Sequence, residues 1–199
     1  MNNTFPDMVR AVDLKITQAV LVEAKRGEYL AGVSAWEYKN NSWQKVYGPF
    51  PATIGKGGII APEHKREGDG CTPTGVYPLG MVFGSRPFLA INMPYRQVTE
   101  EDFWVDDPDS SDYNLWVRGR PGSGTYEEML REDGLYNYGI VVEYNTAPVV
   151  PGKGSAIFMH LWKAPDQPTR GCVAMDQDSL VKLIGWLDPV HWPVIAIPG

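Results

Sequence analysis

Cysteine, histidine, long apolar runs and excess positive charge are all scarce in this chain, and each scarcity narrows what it does. Of 199 residues only two are Cys and three are His. Two cysteines form one disulfide or stay free, so they do not fix a redox compartment. No apolar run approaches the roughly 18 residues of a membrane-spanning helix. Lys and Arg number 18 against 24 Asp and Glu, a net charge of −6, which argues against a nucleic-acid backbone as partner. The pattern GxxxxGK[ST] is missing, so a phosphate-binding loop is not supported. The N-terminal stretch MNNTFPDMVRAVDLK has no basic region leading into an apolar one, so no export signal is read in it. No internal repeat or low-complexity linker interrupts the chain.

Glycine and proline are plentiful. With 21 Gly and 17 Pro they make roughly a fifth of the chain, against ~12% in average usage, which points to a turn-rich fold with more β than α. The length suits one domain over residues 1–199. Alternating or β-branched runs bounded by Gly, Pro or Asn read as strands at Asp13–Val22, Glu28–Lys39, Ser42–Tyr47, Val76–Phe83, Phe88–Asn92, Gly139–Tyr144, Ser155–Leu161 and Val194–Ile197. The first three follow one another as a meander. Leu180, Leu183, Ile184 and Leu187 put one apolar face on a helix over Asp176–Leu187, with Asp176 as N-cap and Pro189 beyond its end. A second helix is read at Thr125–Glu132. The sum is a mainly β, α+β domain with few helices.

The segment Thr169-Arg170-Gly171-Cys172 ends in a cysteine twelve positions after His160. A thiol becomes a strong nucleophile as thiolate, and imidazole is a common activator. The plain alternative is a small buried hydrophobe beside a satisfied core histidine. The apolar run Ser155–Met159 leads to His160, a polar loop follows, and Gly171-Cys172 then runs toward the helix at Asp176. Placed just ahead of a helix N-terminus, Cys172 would feel the positive end of the helix dipole. Backbone N–H groups of the Gly turn would face the oxygen of a tetrahedral intermediate. The second dense segment, Lys65–Tyr77 (KREGDGCTPTGVY), is an ordered turn-rich loop entering a strand, or simply a hairpin connection with solvated charges.

GSAIFMHLW followed by PTRGCVAM resembles the active-site signature of the L,D-transpeptidase catalytic domain, the YkuD-type family of bacterial cell-wall enzymes. KREGDGCTPTGVYPLG resembles the loop and strand that precede it. The stretches MPYRQVTEEDFWVDDPDSSDYNLWV and YGIVVEYN are similar to the branch of the family with a shorter motif, so the likeness runs from about Gly55 to Pro198. It implies a β-sandwich or barrel fold with few short helices. It implies Cys172 as nucleophile, His160 as general base and Gly171 in the oxyanion site, with Arg170, Thr169 and Trp162 toward substrate. The implied substrate is the peptidoglycan stem tetrapeptide, attacked after its third, L-centred diamino acid. No metal and no organic cofactor is needed, and carbapenem-type β-lactams are implied to acylate Cys172. Work on the wall implies the periplasm or cell wall as location.

Two positions depart from the family's usual pattern. Arg170 stands where a second His precedes Gly-Cys, and Ala174 where Arg or Asn is common. They leave open whether an amine or water resolves the thioester, L,D-transpeptidase or L,D-carboxypeptidase, or whether the domain only binds the wall. The resemblance puts Cys71 near the site, where a disulfide to Cys172 is conceivable but a free loop thiol is the better reading. His64 reads as a solvated loop residue and His191 as structural. The acidic residues 100–112 read as Asx turns and a solvated face, lacking calcium-loop spacing. Trp104, Trp116, Tyr113 and Tyr144 read as core.

Overall fold

The computed structural model describes residues 5–87, 91–122 and 124–199. Helix α1 (Phe5–Val12) precedes three strands, β1 (Gln18–Ala24), β2 (Leu30–Lys39) and β3 (Ser42–Thr53). Short β4 (Ile59–Ile60) and β5 (Thr72–Pro73) bracket the 61–71 loop, and β6 (Gly75–Gly84) follows. Next come β7 (Tyr95–Gln97), β8 (Asp102–Val105), β9 (Trp116–Arg118) and β10 (Tyr126–Glu128). The chain ends with β11 (Gly139–Val142), β12 (Phe158–Leu161), β13 (Val173–Met175), helix α2 (Gln177–Trp186), a 3-10 turn at Pro189–His191 and β14 (Val194–Ile197).

Local chemistry explains the meander. Lys39 pairs with Ser42, leaving Asn40 and Asn41 as a two-residue turn with φ of 51° and 61°. Both central residues at positive φ make the primed hairpin turn that suits strand twist, and Asn tolerates it best after Gly. The main sheet runs β11-β12-β13-β3-β2-β1-β14-β6-β7, and β6 also pairs with β11. Strand β6 achieves this by splitting its length. Gly75–Pro78 lie on β14, while Leu79, Val82 and Phe83 lie on β11. An eight-strand circuit therefore closes on itself, barrel-like, which removes two exposed edges.

Side chains alternate between the two faces of this circuit. Val20, Val33, Ile54, Val82, Ile140 and Met159 belong to the main core. Helix α2 adds Leu180, Leu183 and Ile184, and its C-cap adds Leu187, each 0% exposed, and each such burial is worth roughly 1.5–3 kcal/mol. The opposite face of β6, β11 and β12 holds a second cluster with Phe83, Trp104, Tyr136, Phe158 and Cys172. Trp104 arrives on a small sheet, β10-β8-β9, that covers this face. Cys172 thus lies between the main sheet and the small one.

Several expected elements shift. The first strand starts at Gln18, because residues 13–15 form a turn with Asp13 Oδ1 accepting from Lys15 N. The helix expected at Thr125–Glu132 is instead strand β10, paired along Tyr126–Glu128 with β8. Tyr126 packs edge-on to Phe103 at 5.2 Å, so tertiary pairing overrides a weak local preference. Part of the strand expected at Phe88–Asn92 lies outside the described residues, and residues 91 and 92 are not strand. Helix α2 falls within the expected span, with Asp176 Oδ1 accepting from Ser179 N at 2.9 Å.

Candidate active site

Strands β12 and β13 run parallel, with Met159 beside Val173 and His160 beside Ala174. Phe158 therefore stands beside Cys172, and Phe158, His160, Cys172 and Ala174 share one face. A diagonal of one strand spacing and two residues separates the backbones of His160 and Cys172 by about 8 Å. Both side chains line one cavity of about 1010 Å³.

The turn before Cys172 is held from both sides. Thr169 Oγ1 donates to the Cys172 carbonyl at 2.7 Å and accepts from Gly171 N at 3.1 Å. Gly171 has φ 144°, and a Cβ there would stand 3.0 Å from the Cys71 carbonyl oxygen, so only glycine fits. Thr72 Oγ1 donates to Gly171 O at 2.8 Å and accepts from Gly55 N at 2.9 Å. The Lys65–Tyr77 segment and the Cys172 turn are thereby one structure, joined across 99 residues of sequence.

Both chemical groups are buried, Cys172 at 9% and His160 at 7% exposure. The Cys172 thiol donates to Ala156 O at 3.3 Å and accepts from Phe158 N at 3.4 Å. His160 Nδ1–H donates to the Leu161 carbonyl at 2.7 Å, since a carbonyl only accepts, leaving Nε2 as the basic nitrogen. The Tyr136 ring packs edge-on to the imidazole at 5.3 Å. Burial pushes the Cys172 thiol up to about 12, against the Phe158 N–H; Glu127 adds to the rise, while Lys65 and Arg131 oppose it. Burial also brings His160 down to about 4, with the Leu161 carbonyl opposing. The resting pair is a neutral thiol and a neutral imidazole.

The helix-dipole expectation is corrected. Strand β13 intervenes between Cys172 and α2, so the helix N-terminus lies about 13 Å away along extended chain. A helix dipole fades within its own first turn. What acts on the sulfur is the local N–H and C=O pair.

Of the residues expected to face substrate, Arg170 is exposed at the cavity rim and Trp162 is half-buried in its wall. Thr169 touches the cavity, but its hydroxyl is committed to the turn. Sequence reasoning missed Glu127 and Arg131, which also line the cavity. Burial raises the Glu127 carboxyl, opposed by Arg131 Nη1 at 3.2 Å. Arg131 also binds Asp133 at 2.6 Å and lies over the Tyr136 ring at 5.1 Å. On the far wall Glu67 accepts from Tyr113 and Ser155 hydroxyls.

Cys71 and Cys172 are both free thiols. His64 is exposed, and His191 Nδ1 lies 2.9 Å from Thr17 Oγ1 in a structural contact. Trp104 and Tyr113 are buried core residues, as is Tyr144. Asx turns do form in the acidic segment, at Asp107. Asp102 departs from the solvated reading: it is 3% exposed and accepts from Trp116 Nε1, Thr99 and Arg96. Among the described residues, no three His, Cys, Asp or Glu converge as a metal site.

The L,D-transpeptidase catalytic domain model, YkuD, matches residues 30–195, from β2 into β14. The chain belongs to this family, whose members act on peptidoglycan of the cell wall. A solved structure, the helical cell shape determining protein Pgp2 from Campylobacter jejuni, is similar at 16% identity and a TM-score of 0.45. The likeness covers 91% of this chain and 47% of that one, so the chain spans about half its length. No curated protein matches the chain. No helix among the described residues is long and apolar enough to cross a membrane.

Proposed function

We propose that the chain is a cysteine acyl-transferase acting on peptidoglycan stem peptides, an L,D-transpeptidase working through a Cys172 thioester in the periplasm or cell wall. The observation that carries this is the shared face of Cys172 and His160 at one cavity, with His160 Nε2 left basic by the Leu161 contact. Starting from a neutral pair, Sγ attacks the carbonyl of the diamino acid as its proton passes to Nε2. Imidazolium then gives that proton to the departing D-Ala amine. An amine of a second stem attacks the thioester, loses a proton to His160, and releases the thiol with a new amide cross-link.

Gly171 and the backbone around Cys172, in the turn braced by Thr169 Oγ1, form the oxyanion site. Arg170 and Trp162 contact the stem from the rim and wall. The exposed Arg170 guanidinium beside the turn favours substrate carboxylates. Where water takes the place of the amine, the product is that of an L,D-carboxypeptidase.

Intact mass after incubation with a carbapenem tests the reading. One covalent adduct is expected on the native protein and none on Cys172→Ala. Stem tetrapeptide with and without an amine acceptor then separates cross-linking from hydrolysis. No adduct together with no turnover rejects the enzyme and favours a wall-binding module.

A further inference from the structure

Asn114 touches neither the sulfur nor the cavity, yet its side chain fixes the group to which the thiol donates. It is 2% exposed and sits at φ 58° between β8 and β9. All four hydrogen-bonding positions of its carboxamide are filled. Nδ2 donates to the carbonyls of Tyr144 at 3.1 Å and Asn145 at 2.7 Å. Oδ1 accepts from Trp104 Nε1 at 2.9 Å and from Ala156 N at 3.0 Å. The first three contacts orient the amide, and the fourth delivers it to Ala156.

Ala156 needs that anchor. It carries a Cβ yet sits at φ 51°, in the left-handed region that L-residues avoid. In this conformation its carbonyl points at Cys172 Sγ, 3.3 Å away. Two residues on, the Phe158 N–H points at the same sulfur from 3.4 Å. The carbonyl favours S–H, and the N–H favours thiolate. If Ala156 relaxed to an extended conformation, the carbonyl would swing off the sulfur and only the N–H would remain.

We propose that Asn114 is a positioning residue for the nucleophile: by holding Ala156 left-handed it aims the Ala156 carbonyl at Cys172 and keeps the proton on sulfur until His160 takes it. This rests on Cys172 being the nucleophile. It adds a link from the small β10-β8-β9 sheet to the reacting atom. The charged and titratable groups that face Cys172 are Glu127 on β10, which raises its pKa, Lys65 of the 61–71 loop and Arg131 after β10, which lower it, with Tyr136 and His160 beside it. None of these groups bonds Asn114 directly.

The test is the pH profile of Cys172 alkylation by iodoacetamide, in which thiolate forms the S–C bond and iodide leaves. Peptide mass mapping separates Cys172 from Cys71. Asn114→Ala is expected to lower the midpoint by about one pH unit, the worth of one hydrogen bond to the neutral form, speeding alkylation about tenfold at pH 8. Ala156→Val keeps Asn114 but disfavours positive φ, and is expected to give the same shift. Ala156→Gly accepts positive φ freely and should keep the native midpoint.

A folded Asn114→Ala protein with the native midpoint overturns the proposal. If circular dichroism finds that variant unfolded, a native midpoint in Ala156→Val does so instead. An equal shift in Ala156→Gly also overturns it, because side-chain bulk rather than backbone conformation would then set the thiol. Alkylation needs no stem peptide, so failure here leaves the acyl-transfer reading standing, and failure of acyl transfer leaves this shift measurable.

Discussion

The Thr169 hydroxyl is the smallest group on which the Cys172 turn depends. One oxygen closes the loop from both ends, accepting from Gly171 N and donating to Cys172 O. A residue that bound substrate and one that braced the turn would fail differently. Thr169→Val keeps the shape and removes the oxygen, stranding two partly buried backbone groups at a cost of about 1–2 kcal/mol. Over a chain of this length that is a fall in Tm of roughly 2–8 °C. The loosened turn is expected to lower kcat about tenfold, the rate equivalent of ~1.4 kcal/mol in the barrier, with KM little changed. Calorimetry together with steady-state kinetics checks this. An unaltered Tm with a raised KM would instead make Thr169 a substrate contact.

Among the elements, α2 and β13 separate what fold and nucleophile each require. Asp176 caps α2 through Ser179 N, and the helix with its C-cap Leu187 then buries four aliphatic side chains in the main core. Asp176→Ala is expected to cost about 1 kcal/mol, and so some 2–4 °C in Tm. The alkylation midpoint of Cys172 should not move, since three extended residues isolate the sulfur from the helix end. A shift in that midpoint would restore the helix dipole as a cause. Helix α2 was legible in the sequence because its four aliphatics repeat at i, i+3, i+4 and i+7 and its cap is a local carboxylate. Strand β14 was legible as an apolar run held between prolines. Strand β10 was not, because Tyr126–Glu128 becomes a strand only through β8. The site shows the same division. Cys172, Gly171 and His160 could be read from a short motif. Asn114 could not, because Tyr144, Asn145 and Ala156 lie far along the chain. Glu127 and Arg131 pair locally, and β10 must pair with β8 before they line the cavity. Asn114 had one weak signal, an Asn in a turn-rich stretch where positive φ is tolerated.

At the scale of the whole molecule, closure of the sheet circuit is what buries Cys172 and His160. Strand β14 brings the end of the chain back between β1 and β6, and β6 joins β11 to complete the ring. The small sheet then covers the outer face, where His160 is buried as a neutral base. That burial links folding to pH. In the unfolded chain His160 binds a proton near 6.5, and in the folded protein only near 4, so acid favours the unfolded state across this interval. His160 therefore contributes full stability above pH 6.5 and loses it as pH falls to 4, by about 3 kcal/mol at most. Cys172 is raised instead, so its contribution is full below pH 9 and lost as pH climbs toward 12. Glu127 and Asp106 are also raised and act against His160 in part of the acid range. The cleanest readout is therefore a difference. His160→Gln keeps the size and removes the titration. As pH drops from 6.5 to 4, the Tm of the native protein is expected to fall relative to that of His160→Gln by roughly 10 °C. A difference that stays flat across this interval would mean that His160 takes up its proton in the folded state near its ordinary value, and a neutral resting pair would then be ruled out.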